Sequence, residues 1–104
     1  MPRQFELVEN LSPARRREYP FLVLLQHDRV TSINTVVVAP LVESGPRFTR
    51  TRLHPALTIS GKQYLVLVEE IAAVPRRALG LVVGSAQDSR YDLVAALDLL
   101  FTGI

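Results

Sequence analysis

The hydrophobic pattern changes period near the end of this chain. Up to residue 83 apolar residues come in short runs bounded by Pro, Gly and polar clusters, and from Asp88 onward they recur every three or four residues. Short runs of that kind predict strands, whereas the later spacing predicts an amphipathic helix. The helix is expected over residues 88–104, capped by Asp88 or Ser89. It places Leu93, Leu97, Leu100 and Ile104 in one row and Val94, Leu97 and Phe101 in a second row beside it. Its last four residues, Phe101-Thr102-Gly103-Ile104, are largely apolar where a chain end ordinarily frays. They are therefore expected to be covered, by the chain's own core or by a partner. From periodicity alone, a helix docked on a sheet is the preferred reading.

A first strand is predicted over residues 5–9 and a second over residues 19–25. In the second, Phe21-Leu22-Val23-Leu24-Leu25 is apolar throughout and reads as a central strand buried on both faces. Thr35-Val36-Val37-Val38-Ala39 is a third, β-branched strand, and Pro40 is expected to stop its ladder because proline has no N–H to donate. Residues 53–59 and 63–68 form the clearest hairpin, turning on Ser60-Gly61-Lys62. Residues 69–74 continue into a short strand or turn closed by Pro75, and Leu81-Val82-Val83 is the last strand. Loops are expected at residues 10–18, 26–29 and 42–49. Short antiparallel strands followed by one helix predict a mainly β fold, a small curved barrel or sheet that hides its edges and carries a packed C-terminal helix.

Composition narrows the class. A chain of 104 residues is expected to be one domain, and 48% hydrophobic with 21% charged residues places it among folded globular proteins. It has no cysteine, which excludes a disulfide framework and a thiolate metal site. The opening Met1-Pro2-Arg3-Gln4-Phe5 starts no apolar leader, and no apolar run is long enough to cross a bilayer. A cytoplasmic location without membrane association is expected. The formal charge of +2 is mild and the arginines are spread along the chain, which is not by itself a nucleic-acid signature.

The residues that could do chemistry are few. His27 sits in a turn and His54 precedes Pro55, with no ligand spacing between them, so no metal or other cofactor is expected. Glu69 and Glu70 adjoin a strand, where successive side chains face opposite sides and two carboxylates diverge. There is no Gly-rich phosphate loop. Arg and Thr are abundant enough to leave a small barrel ribonuclease open, but otherwise the chain is not expected to be an enzyme.

The order and spacing of Gln4-Phe5, Val38-Ala39-Pro40-Leu41, Ile71-Ala72-Ala73-Val74-Pro75, Leu79-Gly80 and Leu100-Phe101-Thr102-Gly103-Ile104 resemble the CcdB family. Its members are toxins of plasmid and chromosomal toxin-antitoxin modules that poison DNA gyrase. The resemblance covers nearly the whole chain, read as one CcdB-like toxin domain over residues 1–104. Its most specific elements are Ala-Ala-Val-Pro and the closing Phe-x-Gly-Ile. It implies an SH3-like barrel of the CcdB/MazF-like toxin fold, paired as a homodimer whose two helix ends lie side by side. Such a dimer wedges into the gyrase A subunit, traps the gyrase-DNA cleavage complex, and needs no catalysis of its own.

Carried over residue by residue, the resemblance implies gyrase contacts at Arg29, Val30, Asp98, Phe101, Thr102, Gly103 and Ile104. The match departs at Thr102, where the family typically places Trp, and at Arg29, where better-known relatives carry an apolar residue. An acidic CcdA-like antitoxin would meet the basic loops through Arg15, Arg16, Arg17, Arg47, Arg50 and Arg52, although each of these is equally readable as a solvated loop arginine. The toxin would bind operator DNA, and autoregulate its operon, only together with that antitoxin. Dimer contacts would fall on Leu25, Ile71, Leu100 and Ile104, of which Leu25 and Leu100 read equally as core. Two alternatives stand beside the gyrase poison: a CcdB-like protein that binds antitoxin without poisoning gyrase, because of Thr102, and a MazF-like endoribonuclease.

Overall fold

A computed structural model describes residues 2–30 and 34–104. Among these residues seven strands form one antiparallel sheet: β1 (Glu6–Asn10), β2 (Phe21–Leu24), β3 (Thr35–Glu43), β4 (Ala56–Ile59), β5 (Lys62–Val66), β6 (Ala72–Pro75) and β7 (Leu79–Ser85). They run in the order β4-β5-β3-β2-β1-β7, and β6 pairs with β3 off that path. A single helix, α1 (Arg90–Thr102), follows. The architecture is a half-barrel sheet with a C-terminal helix, the mainly β fold that the hydrophobic pattern predicts.

The apolar runs are explained by two cores, one on each side of the sheet, and a smaller third cluster of Tyr19, Val42, Leu65 and Leu67. Leu7, Val23, Leu25, Ala39 and Leu41 face α1, where they pack with Leu93 and Ala96. Val8, Leu22, Leu24, Val36 and Val38 form a second cluster on the other face, with Val74 and Leu79 against it. Successive residues of β2 thus alternate between two buried surfaces, which is why Phe21–Leu24 carries no polar side chain.

Pro40 does not stop the third strand, which continues to Glu43 and shortens the loop expected over residues 42–49. The reason is a change of neighbour. Residues 35–38 of β3 pair with β6 and residues 41–43 pair with β5. Pro40 sits at the changeover, opposite Leu22 on its β2 side, and its carbonyl accepts the Leu67 N–H at 2.9 Å. Its missing N–H therefore falls where no strand needs it.

The hairpin turn is tighter than expected. Lys62 pairs with Ile59, leaving Ser60 and Gly61 as a two-residue connection with φ of 51° and 81°. That is the double left-handed turn whose twist matches its strands. Glu69 and Glu70 lie not beside a strand but within a 3₁₀ turn, Val68–Glu70, so their divergence is set by the turn and not by a pleat. Phe5 also has a positive φ, 66°, an uncommon conformation for a bulky residue. Its N–H donates to the Leu24 carbonyl and its own carbonyl accepts the Ala86 N–H, both at 2.6 Å, so the kink ties the sheet to the segment that launches α1.

Candidate functional site

Helix α1 begins at Arg90, directly after Ser89, one of the two expected cap residues. Ser89 occupies the cap position without a side-chain hydrogen bond, and the residues before it form a 3₁₀ turn, Gln87–Ser89. Leu93 and Ala96 have no exposed surface, and Leu97 and Leu100 are partly buried against the same core. Burying a leucine fully stabilises by about 1.5–3 kcal/mol, so this stripe holds the helix in place. Ile104 does not continue the inner row, because the helix has ended before it.

The opposite face and the end are uncovered. Tyr91 is 75% exposed, Phe101 68% and Ile104 79%. Of the two covers expected for the apolar end, the chain's own core is therefore ruled out. The end is nevertheless ordered by its own bonds. Thr102 Oγ1 donates to the Asp98 carbonyl at 2.7 Å, and the Gly103 N–H donates to the Leu99 carbonyl at 3.1 Å. Gly103 has φ of 77°, the left-handed ending that satisfies helix carbonyls and that glycine adopts without a Cβ penalty. Thr102, one of the two residues where the resemblance departs, is thus bound back to its own helix.

The two basic loops do different things. In the first, Arg16 and Arg17 are exposed, while the Arg15 guanidinium lies 4.7 Å from the centre of the Tyr19 ring and 3.9 Å from Glu18. Arg15, Tyr19, Glu70, Ile71 and Arg77 border a cavity of about 620 Å³ between this loop and β6. Burial, followed by the neighbouring Glu18 carboxylate, pushes the Tyr19 phenol above its ordinary pKa. In the second loop Arg47 lies in an exposed turn closed between Gly45 and Phe48, but Arg50 reaches the helix and Arg52 reaches Ile104 beyond its end. Arg50 pairs with Asp92 at 3.7 Å, and Arg52 Nη2 donates to the main-chain oxygen of Ile104.

Arg29 and Val30 are exposed in the turn after β2. The neighbouring Asp28 braces that turn, accepting the Gln4 N–H at 2.7 Å and Arg3 Nε at 3.3 Å. The Gln4 N–H, and then the Arg3 guanidinium, hold the Asp28 carboxyl below its usual pKa. Of the residues implied at a dimer contact, Leu25 is buried in the helix-side core, Ile71 and Leu100 are partly buried against it, and Ile104 is exposed.

Three relationships are invisible in the linear pattern: Arg50 with Asp92, Arg52 with Ile104, and His54 Nε2 with both Glu69 carboxylate oxygens at 2.8 and 2.9 Å. Their partners lie 15 to 52 residues apart, and no motif connects them. Among the described residues no group of three or more His, Asp or Glu side chains is arranged to hold a metal, and no helix is long and apolar enough to cross a membrane.

Fold and site together define a small half-barrel β protein that presents the end of a docked helix. Residues 4–103 match the family described as CcdB protein, and the chain belongs to the CcdB family. Membership makes it a toxin of the toxin-antitoxin kind. None of the curated proteins compared with it matches.

Proposed function

We propose that the protein acts as a homodimer that binds the DNA gyrase A subunit with its helix ends and traps the gyrase-DNA cleavage complex. The observation that carries this reading is the uncovered apolar end, Phe101 and Ile104, on a helix docked through Leu93 and Ala96. A rigid, already ordered anchor loses little conformational entropy on binding, so its apolar area converts efficiently into affinity. Arg29, Val30, Asp98, Thr102 and Gly103 complete the proposed contact surface. Pairing of two copies would bring the two ends together, with Ile71, Leu100 and Ile104 at or near the contact and Leu25 supporting it from the core.

Neutralisation falls to an acidic CcdA-like antitoxin drawn to Arg15, Arg16, Arg17, Arg47, Arg50 and Arg52, and the pair represses its own operon. The cytoplasm, where gyrase acts, is the corresponding location.

A second reading has its own support. Thr102 has no aromatic face, and its hydroxyl is spent on the Asp98 carbonyl, so the protein would retain antitoxin binding without poisoning gyrase. One experiment separates the two: supercoiling and DNA-cleavage assays with the host gyrase, run on the wild type and on Thr102→Trp. Cleavage by both supports the poison, cleavage by the variant alone supports the silenced form, and no effect from either overturns the gyrase reading.

A further inference from the structure

We infer that Arg52 is a positioning residue for the helix end, and that an acidic chain captured by the second basic loop releases that end by taking Arg52 away from it. The inference deepens the reading of the end as the gyrase-binding surface and of the loop as an antitoxin surface.

A helix leaves its last carbonyls unsatisfied and its C-terminus partly negative, and a basic residue in the last turn usually answers both. The last turn of α1 carries none, and Asp98 adds a further negative charge nearby. Arg52 supplies the missing cation from elsewhere in the chain, donating to the Ile104 main-chain oxygen, while Arg50 holds Asp92 in the first turn. The loop thus grips the helix near both ends.

Its own geometry makes the grip directional. Thr51 and His54 exchange main-chain hydrogen bonds at 3.2 Å, and Thr51 Oγ1 accepts the His54 N–H at 3.1 Å. His54 fastens the turn to Glu69, and Leu53 packs against the helix-side core. Arg52 therefore projects from a braced turn. Beyond the helix, Gly103 contributes no side chain, and the guanidinium makes a tertiary contact with Ile104. Both arginines remain largely solvent-accessible, so a carboxylate-rich peptide can approach them without unfolding the loop. A carboxylate-rich peptide offers many acceptors on one chain and can engage Arg50 and Arg52 together, against the single acceptor at Ile104, which sets the direction of the exchange.

The test reads the free protein by NMR-detected amide hydrogen exchange at Gly103, with Leu93 and Ala96 as internal controls. In Arg52→Gln the Gly103 amide is expected to exchange about two- to fivefold faster, the range for loss of one exposed charged contact, with the controls unchanged and Arg52→Lys in between. A sixteen-residue oligoglutamate added to the wild type is expected to give the same acceleration, and to give none in Arg52→Gln. Equal Gly103 exchange in all three proteins, or oligoglutamate acting equally on wild type and Arg52→Gln, overturns the inference. Because these readouts involve no gyrase, failure of the poisoning assay would reject the proposed function and leave this result to stand or fall by itself.

Discussion

The two faces of helix α1 are built from similar residues and have opposite surroundings. Leu93 and Ala96 are sealed against the sheet, whereas Tyr91, Val94 and Phe101 on the same helix stand in solvent. Hydrophobicity fails to separate them, because the helix is apolar around most of its circumference. What separates them is the half-barrel, which offers one surface and can cover only one stripe. The buried stripe secures the fold, and the uncovered one is left for another molecule.

The sharpest test of that contrast is Leu93→Ala. Removing a fully buried leucine leaves a cavity between α1 and the sheet and is expected to destabilise by about 3 kcal/mol, read from the midpoint of urea unfolding. Phe101→Ala should do the reverse. Stability is expected to change by less than ~0.5 kcal/mol, while the concentration needed for gyrase-linked DNA cleavage rises about tenfold or more, as for truncation of an aromatic anchor. A large loss of stability in Phe101→Ala would erase the distinction between the faces.

Gly103→Ala is expected to be intermediate, at about 1 kcal/mol. Open space surrounds the added methyl, so the penalty is backbone strain at φ 77° and not a clash. Thermal unfolding measures it, together with loss of protection at the Gly103 amide.

The smallest effect concerns the turn carrying Arg29 and Val30. Asp28 has a folded pKa held below its unfolded value, so its contribution is present at neutral pH and is lost as the pH falls through the folded pKa. Asp28→Asn should be slightly less stable than the wild type near about pH 7, with the difference vanishing towards about pH 2 in paired urea titrations. A difference that persists undiminished in acid would assign the effect to the amide substitution and not to the carboxylate.

Much of the fold was legible because period and burial agree. The apolar run Phe21–Leu24 reports a strand covered twice, and the three- and four-residue spacing after Asp88 reports a helix with one docked stripe. What was not legible has a common cause. A proline's missing donor predicts the end of a strand, and the linear pattern carries no sign that β3 changes neighbours at Pro40. For Glu69 and Glu70 the turn is the alternative realised, and a 3₁₀ turn rather than a pleat directs Glu69 to His54.

The arginines make the same point about the site. By composition the two clusters are interchangeable, yet Arg15 lies over Tyr19 at the edge of a cavity while Arg50 and Arg52 hold a helix. Local chemistry along the chain determines which segments extend, which coil, and which side chains carry charge or grease, since those depend on neighbours within a few residues. Which arginine meets which acceptor, and which greasy face is left bare, depends on pairs brought together across tens of residues by closure of the sheet. Only the folded chain decides those.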